Sequence, residues 1–158
     1  MQVWLVRHAI AAEITEFPGP DSERPLTEKG KKQFRQFGAW LEEQGVRPDA
    51  VLTSPLVRAV ETAELLRKAL GLKKTAVTQS PELSPGVIPQ TALQQAQGAS
   101  LPSIALVGHE PDLSGALSAF IGGGRIAFGK GCIAAVEFGE NPTLGTGQLL
   151  WFVGPRLR

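Results

Sequence analysis

The chain has 158 residues, of which 42% are hydrophobic, so we expect one domain over residues 1–158 with a sizeable core. Its 16 lysines and arginines nearly balance 15 aspartates and glutamates, and the net charge of +1 provides no general attraction for nucleic acid or an anionic membrane. The N-terminus has no basic leader followed by a long apolar stretch, which predicts a cytoplasmic location. The single cysteine, Cys132, excludes an intramolecular disulfide and zinc sites built on paired cysteines.

The first predicted elements are a buried strand and an amphipathic helix separated by a long loop. Residues 3–9 begin with an apolar run that stops at an Arg-His pair, which is typical of a buried strand that carries polar side chains at its end. The loop at residues 9–25 is long enough to be functional. Thr27 is the predicted N-cap of a helix with apolar residues at helical spacing, which ends near Gly45.

A second strand and helix follow directly. Residues 50–53 form a short apolar strand. Ser54 is the predicted N-cap of the next helix, with Pro55 at the first helical position, where the missing N–H costs nothing. This helix is expected to end at Gly71.

The second half of the chain adds weaker strand and helix patterns and a β-rich C-terminal part. We predict a strand at 75–78, a loop at 80–89, a short polar helix at 91–97, a buried strand at 103–107, an apolar helix at 113–121 and an antiparallel pair of strands at 133–138 and 149–153. Strands that alternate with helices indicate a mostly parallel sheet covered on both faces. The predicted fold class is therefore α/β, a three-layer α/β/α sandwich with an antiparallel edge.

Three of the predicted strands end in side chains that suit phosphate binding. Arg7 and His8 end the first strand, Ser54 follows the second, and His109 follows the fourth. The carboxyl ends of parallel strands meet at one edge of a sheet, where open α/β sheets bind their ligands. Because Arg58 lies in the first turn of the following helix, two histidines and two arginines are expected in one pocket, a combination suited to a phosphoryl group.

Four short motifs extend this pattern over nearly the whole chain. They are, in order, Leu5-Val6-Arg7-His8, Arg24-Pro25-Leu26-Thr27-Glu28-Lys29-Gly30, Thr53-Ser54-Pro55 with Arg58-Ala59 and Thr62-Ala63, and Val107-Gly108-His109. Together they resemble the histidine phosphatase superfamily, which has the phosphoglycerate mutase-like fold, and the short chain is most similar to its SixA-type phosphohistidine phosphatases. Ala9 departs from the pattern, because the superfamily usually has glycine after the histidine. We expect a modest local adjustment there unless the position needs a positive φ.

The resemblance implies a role for each residue of the pocket. His8 would be the nucleophile that attacks phosphorus and forms a phosphohistidine intermediate, with its other ring nitrogen fixed by a backbone carbonyl. Arg7, Arg58 and His109 would bind the nonbridging oxygens and balance their charge in the transition state. Arg24 is a further candidate, either for a phosphate contact or for a salt bridge. The implied arrangement requires no metal and no other cofactor.

The proton donor for the leaving group is less distinct. Glu82, in the loop at 80–89, and Glu110, directly after His109, are both candidates. We favour Glu82, because Glu110 is also suited to stabilising the N-terminal turn of the next helix through its negative charge. A phosphohistidine substrate needs no acid from the enzyme, because protonation of its second ring nitrogen already makes the imidazole a good leaving group.

Three functional classes fit these residues. The first is a phosphatase that acts on phosphohistidine in a protein phosphotransfer domain, which the small size of the chain and the absence of a large capping insertion favour. The second is a phosphatase of small phosphoesters. The third is a noncatalytic phosphate-binding module, against which the presence of both histidines and both arginines argues. The expected partners are a phosphorylated protein and phosphate or another oxyanion, with no nucleic acid and no membrane.

Overall fold

Strands and helices alternate along most of the chain in the computed structural model, which describes residues 1–156. The strands are β1 (Gln2–Arg7), β2 (Ala50–Thr53), β3 (Val77–Gln79), β4 (Ser103–Gly108), β5 (Ile133–Glu137) and β6 (Gln148–Val153). The α-helices are α1 (Glu28–Glu43), α2 (Val57–Ala69), α3 (Pro89–Gly98) and α4 (Asp112–Phe120), and short 3-10 turns cover Asp21–Glu23, Lys74–Ala76 and Pro81–Leu83. None of the helices in this described part is both long and apolar enough to cross a membrane.

The strands form one sheet in the order β3-β2-β4-β1-β5-β6. The pairs β3–β2, β2–β4 and β4–β1 are parallel, whereas β5 pairs antiparallel with both β1 and β6. The two antiparallel strands therefore lie at one edge of a parallel sheet. This topology confirms the predicted α/β class, the mostly parallel sheet and the antiparallel edge.

The core lies on both faces of the sheet, and β1 contributes to both. Trp4 and Val6 pack with residues of α1 and α2, while Val3 and Leu5 pack with residues of α3 and α4. Successive side chains of a strand point to opposite faces, so a strand covered on both sides has to be apolar throughout. Burial of each large side chain contributes about 1.5–3 kcal/mol. This packing on both faces fixes the position of the C-terminal end of β1, where Arg7 lies.

Two helix starts illustrate how local signals compare with the structure. Thr27 is the N-cap of α1, as predicted, and its Oγ1 accepts a hydrogen bond from the Gly30 amide at 2.9 Å. The prediction that Ser54 caps α2 is wrong, because that helix begins at Val57 after an extended Leu56. The Ser54 hydroxyl instead lies 2.8 Å from a ring nitrogen of His109.

Smaller differences concern the predicted limits of two other elements. β3 begins at Val77 rather than at residue 75, because Lys74–Ala76 forms a 3-10 turn. α3 begins at Pro89, two residues before the predicted start, and its first turn contains the proline.

Backbone hydrogen bonds between neighbouring strand ends place the polar residues on one edge of the sheet. The His8 amide donates to the Gly108 carbonyl at 3.2 Å, and the Ser54 amide donates to the Val107 carbonyl at 3.0 Å. The Ser80 amide donates to Thr53 in the same way at 2.8 Å. The residues that follow β1, β2, β3 and β4 therefore meet at the carboxyl ends of the parallel strands, as the alternation of elements predicts.

Candidate active site

The structure brings together the four side chains that the sequence placed at this edge. The rings of His8 and His109 have centroids 5.4 Å apart. Both rings are buried, and so is Arg58, whose exposed fraction is 4%. Arg7 is half-buried. The positive charges of Arg58 and Arg7 both lower the pKa of His8, so both guanidinium groups lie within electrostatic range of its ring.

His8 is held as a neutral imidazole with one free nitrogen. Its Nδ1 lies 2.8 Å from the carbonyl oxygen of Ala9. A carbonyl oxygen can only accept, so Nδ1 carries the proton and Nε2 keeps its lone pair. Burial, together with the positive charges of Arg58 and Arg7, lowers the pKa of His8 to about 4, although the bond to Ala9 opposes this shift. At neutral pH the ring is therefore uncharged, and the lone pair of Nε2 is available.

His109 is also buried and uncharged, and Ser54 fixes its ring. Burial lowers the pKa of His109 to about 3, with smaller contributions from His8 and Arg58. Its Nε2 lies 2.8 Å from Ser54 Oγ, which also accepts a bond from the Leu56 amide at 3.3 Å. The Ser54 hydroxyl can either donate to Nε2 or accept from it, and in the tautomer in which Ser54 donates, the proton of His109 lies on Nδ1.

The arginines and His109 retain side-chain nitrogens that make no hydrogen bond within the described residues. Arg7 donates from Nη1 to the Phe128 carbonyl at 2.6 Å, which fixes the side chain. In the described part of the chain, Arg7 Nε, Arg58 Nε and His109 Nδ1 are buried and have no hydrogen-bond partner. Buried donors are rarely left unpaired, because each one forfeits its bonds to water. Unpaired nitrogens on three side chains at this edge of the sheet suit the binding of an anion.

Asp21 is a residue of this site that sequence reasoning missed. It begins a 3-10 turn in the loop at residues 9–25 and is paired with two arginines. Arg58 Nη2 donates to its Oδ2 at 2.9 Å, and Arg24 Nε donates to its Oδ1 at 2.9 Å. Burial alone would raise the pKa of Asp21, but hydrogen bonds and charge from Arg24 and Arg58 hold it below the usual value. Arg24 thus forms the salt bridge that was one of its two predicted roles.

Within the described residues, neither predicted proton donor has a hydrogen bond or ion pair to the four central side chains. Glu82 is exposed and accepts a hydrogen bond from Ser80 Oγ at 2.8 Å. Bonds from its own amide and from Ser80 hold the pKa of Glu82 below the usual value, which makes it a weaker proton donor at neutral pH. Glu110 accepts bonds from the amide and the hydroxyl of Ser114 at 2.9 and 2.8 Å, at the start of α4. These hydrogen bonds support the alternative role of Glu110, which is to stabilise the N-terminal turn of α4.

The unusual alanine after His8 fits the local backbone. Ala9 is buried and does not adopt a positive φ, so the conformation does not require glycine. Its amide donates to Thr62 Oγ1 at 3.1 Å, and the Thr62 hydroxyl donates to the Arg58 carbonyl at 2.7 Å. This chain of bonds connects the end of β1 to the first turns of α2, and therefore His8 to Arg58.

Metal-binding chemistry finds no support among the residues that are described. No group of three or more His, Cys, Asp or Glu side chains comes together there as a metal site. The two arginines at the strand ends are instead donors, which suit an oxyanion.

Comparison with known proteins agrees with this geometry. The family model of the histidine phosphatase superfamily (branch 1) matches residues 3–110. The chain is 34% identical to the phosphohistidine phosphatase SixA of Escherichia coli (strain K12) over 161 aligned residues, which cover 98% of this chain and 94% of that protein. The structure of the protein histidine phosphatase SixA complexed with tungstate is similar over 99% of this chain and 98% of that chain, with a TM-score of 0.85 and 30% sequence identity.

A further relative shares only part of its length with this chain. The serine/threonine-protein phosphatase Pgam5 of Drosophila ananassae is 33% identical over 111 residues, which cover 70% of this chain but 33% of that protein. The match to the family model covers more than half of the chain, and the SixA match covers nearly all of it. The chain thus belongs to the histidine phosphatase superfamily, branch 1.

Proposed function

We propose that this phosphatase hydrolyses phosphohistidine in a protein phosphotransfer domain, with His8 as its nucleophile. One observation carries the proposal: the ring of a buried, neutral His8, whose Nδ1 is bonded to Ala9, lies with its centroid 5.4 Å from that of His109, and Arg7, Arg58 and His109 each have a buried nitrogen with no partner in the described residues. The similarity to a phosphohistidine phosphatase over nearly the full length of both chains supports the class of substrate.

The first step forms a bond between His8 Nε2 and phosphorus while the bond from phosphorus to the leaving nitrogen breaks. The lone pair of Nε2 supplies the electrons of the new bond, and the electron pair of the broken bond goes to the leaving nitrogen. Because the substrate ring is already protonated on its second nitrogen, it leaves as a neutral imidazole. The hydrogen bond from Nδ1 to the Ala9 carbonyl stabilises the positive charge that develops on the His8 ring. Water then attacks phosphorus, the bond to Nε2 breaks, and neutral His8 and phosphate are released.

The nonbridging oxygens are the proposed partners of the free donors. Arg7 Nε and Arg58 Nε each offer one N–H to these oxygens, and His109 Nδ1 offers another in the tautomer in which Ser54 donates to Nε2. Donors that are already in place need no reorganisation as charge develops in the transition state. Each one removed costs about a hundred- to a thousandfold in rate in comparable sites.

Neither candidate acid is well placed as a proton donor, which favours a substrate whose scissile bond joins phosphorus to nitrogen. Glu82 is exposed and its pKa is lowered, and the Glu110 carboxylate is occupied by Ser114. A phosphoester leaving group is poor until it is protonated, whereas a protonated imidazole leaves without help from the enzyme. Glu82 remains the proposed acid for phosphoesters. Such esters are a second candidate class, which the similarity to the Drosophila serine/threonine-protein phosphatase favours.

Release of phosphate from a phosphohistidine protein and from a panel of small phosphoesters tests the proposal. We expect the phosphohistidine protein to be cleaved with the higher kcat/KM and His8→Ala to be inactive on both. Cleavage of phosphoesters alone would overturn the substrate and leave the mechanism intact. Equal rates for His8→Ala and the parent would contradict the assignment of His8 as the nucleophile.

The cytoplasmic location stays a prediction, which fractionation of cells that express the tagged chain would check.

A further inference from the structure

We propose that Asp21 is a positioning residue that holds the Arg58 guanidinium so that its Nε edge is presented to the phosphoryl group. The inference rests on the oxyanion-binding role of Arg58 in the proposed function. It concerns a residue that belongs to none of the four motifs through which the chain resembles its family.

Asp21 contacts Arg58 through two separate oxygens. Arg58 Nη1 donates to the Asp21 carbonyl oxygen at 2.8 Å, and Nη2 donates to the carboxylate Oδ2 at 2.9 Å. A guanidinium is planar and its five donors have a fixed arrangement, so two bonds at its outer end determine how the whole group is oriented. The bond to Oδ2 alone would leave rotation of the group less restricted.

The edge that Asp21 leaves free is the one with an unused donor. Nε of Arg58 is buried and has no partner among residues 1–156. Nε and the second hydrogen of Nη2 point to the same side of a guanidinium, which is the side-on geometry that binds two oxygens of a phosphoryl group. Asp21 therefore occupies the end of Arg58 and keeps the other edge available.

The second carboxylate oxygen connects this arrangement to the loop. Asp21 Oδ1 accepts from Arg24 Nε at 2.9 Å and lies 2.8 Å from Arg24 Nη2. Arg24 in turn donates from Nη1 to the Ala12 carbonyl at 2.8 Å. The carboxylate thus has a fixed place, because it is bound on one side by a loop arginine and on the other by the buried Arg58.

Binding of tungstate to the intact protein, measured by calorimetry, tests this inference. We expect Asp21→Ala to raise the Kd for tungstate about tenfold, in line with the loss of orientation of one charge-assisted contact. Glu23→Ala is the matched control, because Glu23 lies in the same 3-10 turn, is exposed and makes none of these contacts. The Kd of Glu23→Ala for tungstate is expected to stay within twofold of the parent value.

A double-mutant cycle separates positioning from general support of the fold. If Asp21 acts through Arg58, then Asp21→Ala has no further effect on the Kd once Arg58 is replaced by alanine. A general structural role would lower the fraction of folded protein, which changes the number of sites in the titration but not their Kd. Asp21→Asn preserves the size of the side chain and is expected to raise the Kd at least threefold, which keeps the test available if Asp21→Ala does not fold.

Three results would overturn the inference. A further rise in the Kd when Asp21→Ala is added to Arg58→Ala would show that Asp21 does not act through Arg58. An unchanged Kd in Asp21→Ala and Asp21→Asn would show that Arg58 is oriented without the carboxylate. A lower Kd would show that Asp21 competes with the oxyanion for Arg58 instead of positioning it. Neither readout requires turnover, so a parent that binds tungstate but releases no phosphate would refute the proposed function separately.

Discussion

The loops at residues 9–25 and 80–89 both follow strands at the carboxyl edge of the sheet, yet they are connected to the site in different ways. The first one carries Asp21, which is bonded to the buried Arg58. The second carries Glu82, whose side chain accepts a bond from Ser80. Within the described residues, no hydrogen bond or ion pair connects the second loop to the histidines or arginines of the pocket.

This difference divides the site into a fixed half and an open half. The half that we propose binds the phosphoryl group has the buried Arg58, two buried histidines with lowered pKa values and a loop that is joined to Arg58 by an ion pair. The half that we propose faces the leaving group carries the exposed Glu82, which has no hydrogen bond or ion pair to the pocket within the described residues. Such a division suits substrates whose leaving group departs easily and whose bulk lies outside the pocket, as with phosphohistidine on the surface of a protein.

Replacement of Arg58 by alanine should have the largest effect on the fixed half. We expect kcat/KM to fall about a hundred- to a thousandfold, because a preorganised donor to the developing charge is lost. Arg67→Ala is the matched control: Arg67 is in the same helix, pairs with Glu64 and should leave kcat/KM within about twofold. A loss of less than tenfold in Arg58→Ala would contradict the division.

The buried histidines predict how stability depends on pH. Their folded pKa values, about 4 for His8 and about 3 for His109, lie below the ordinary value of 6.5, so the unfolded chain binds more protons over this range. The free energy of unfolding should therefore fall as the pH drops from 6.5 towards 4, by on the order of 3 kcal/mol for His8 alone.

Urea unfolding at several pH values provides the measurement for that prediction. The double variant His8→Gln/His109→Gln lacks both groups and should lose clearly less stability over the same range. Parallel curves for the parent and the double variant would show that the histidines are not buried in the neutral form.

A smaller effect is expected in the open half. Glu82→Gln should slow phosphoester cleavage roughly tenfold and phosphohistidine cleavage less than threefold, because only the ester needs a proton donor. Glu110→Gln serves as the comparison, since Glu110 is bonded to Ser114 and should affect both substrates little. Steady-state kinetics on both substrates check this, and an equal loss on both would contradict the leaving-group assignment.

The smallest expected change is that of Ala9→Gly. The backbone of Ala9 does not need glycine, so kcat/KM should remain within about twofold. The free energy of unfolding should decrease by about 1 kcal/mol, because glycine adds freedom to the unfolded chain and a buried methyl group is lost. A tenfold gain in kcat/KM would show instead that alanine restrains the nucleophile.

The elements that the sequence predicts well are those with local signals. The unbroken apolar run of β1 follows from burial on both faces, and Thr27 caps α1 through a bond to an amide only three residues away. The meeting of His8 and His109 follows from the rule that parallel strands have their carboxyl ends at one edge.

The errors concern residues whose partners are distant in the chain. Ser54 has the local pattern of an N-cap, but its hydroxyl lies beside His109, 55 positions away. Asp21 lies 37 positions from Arg58, and nothing in the local pattern indicates that pair. The one available signal was the spacing of Asp21 and Arg24, three residues apart in a loop already considered functional.

Identification of the phosphorylated residue during turnover tests the central claim most directly. A labelled phosphohistidine protein is mixed with the enzyme, the reaction is stopped with alkali within milliseconds to seconds, and the enzyme is digested and analysed. We predict a phosphoryl group on Nε2 of His8 that is labile to acid and stable to alkali, with no label in His8→Ala. A label on any other residue, or turnover by His8→Ala at the rate of the parent, would contradict the claim that His8 carries the phosphoryl group.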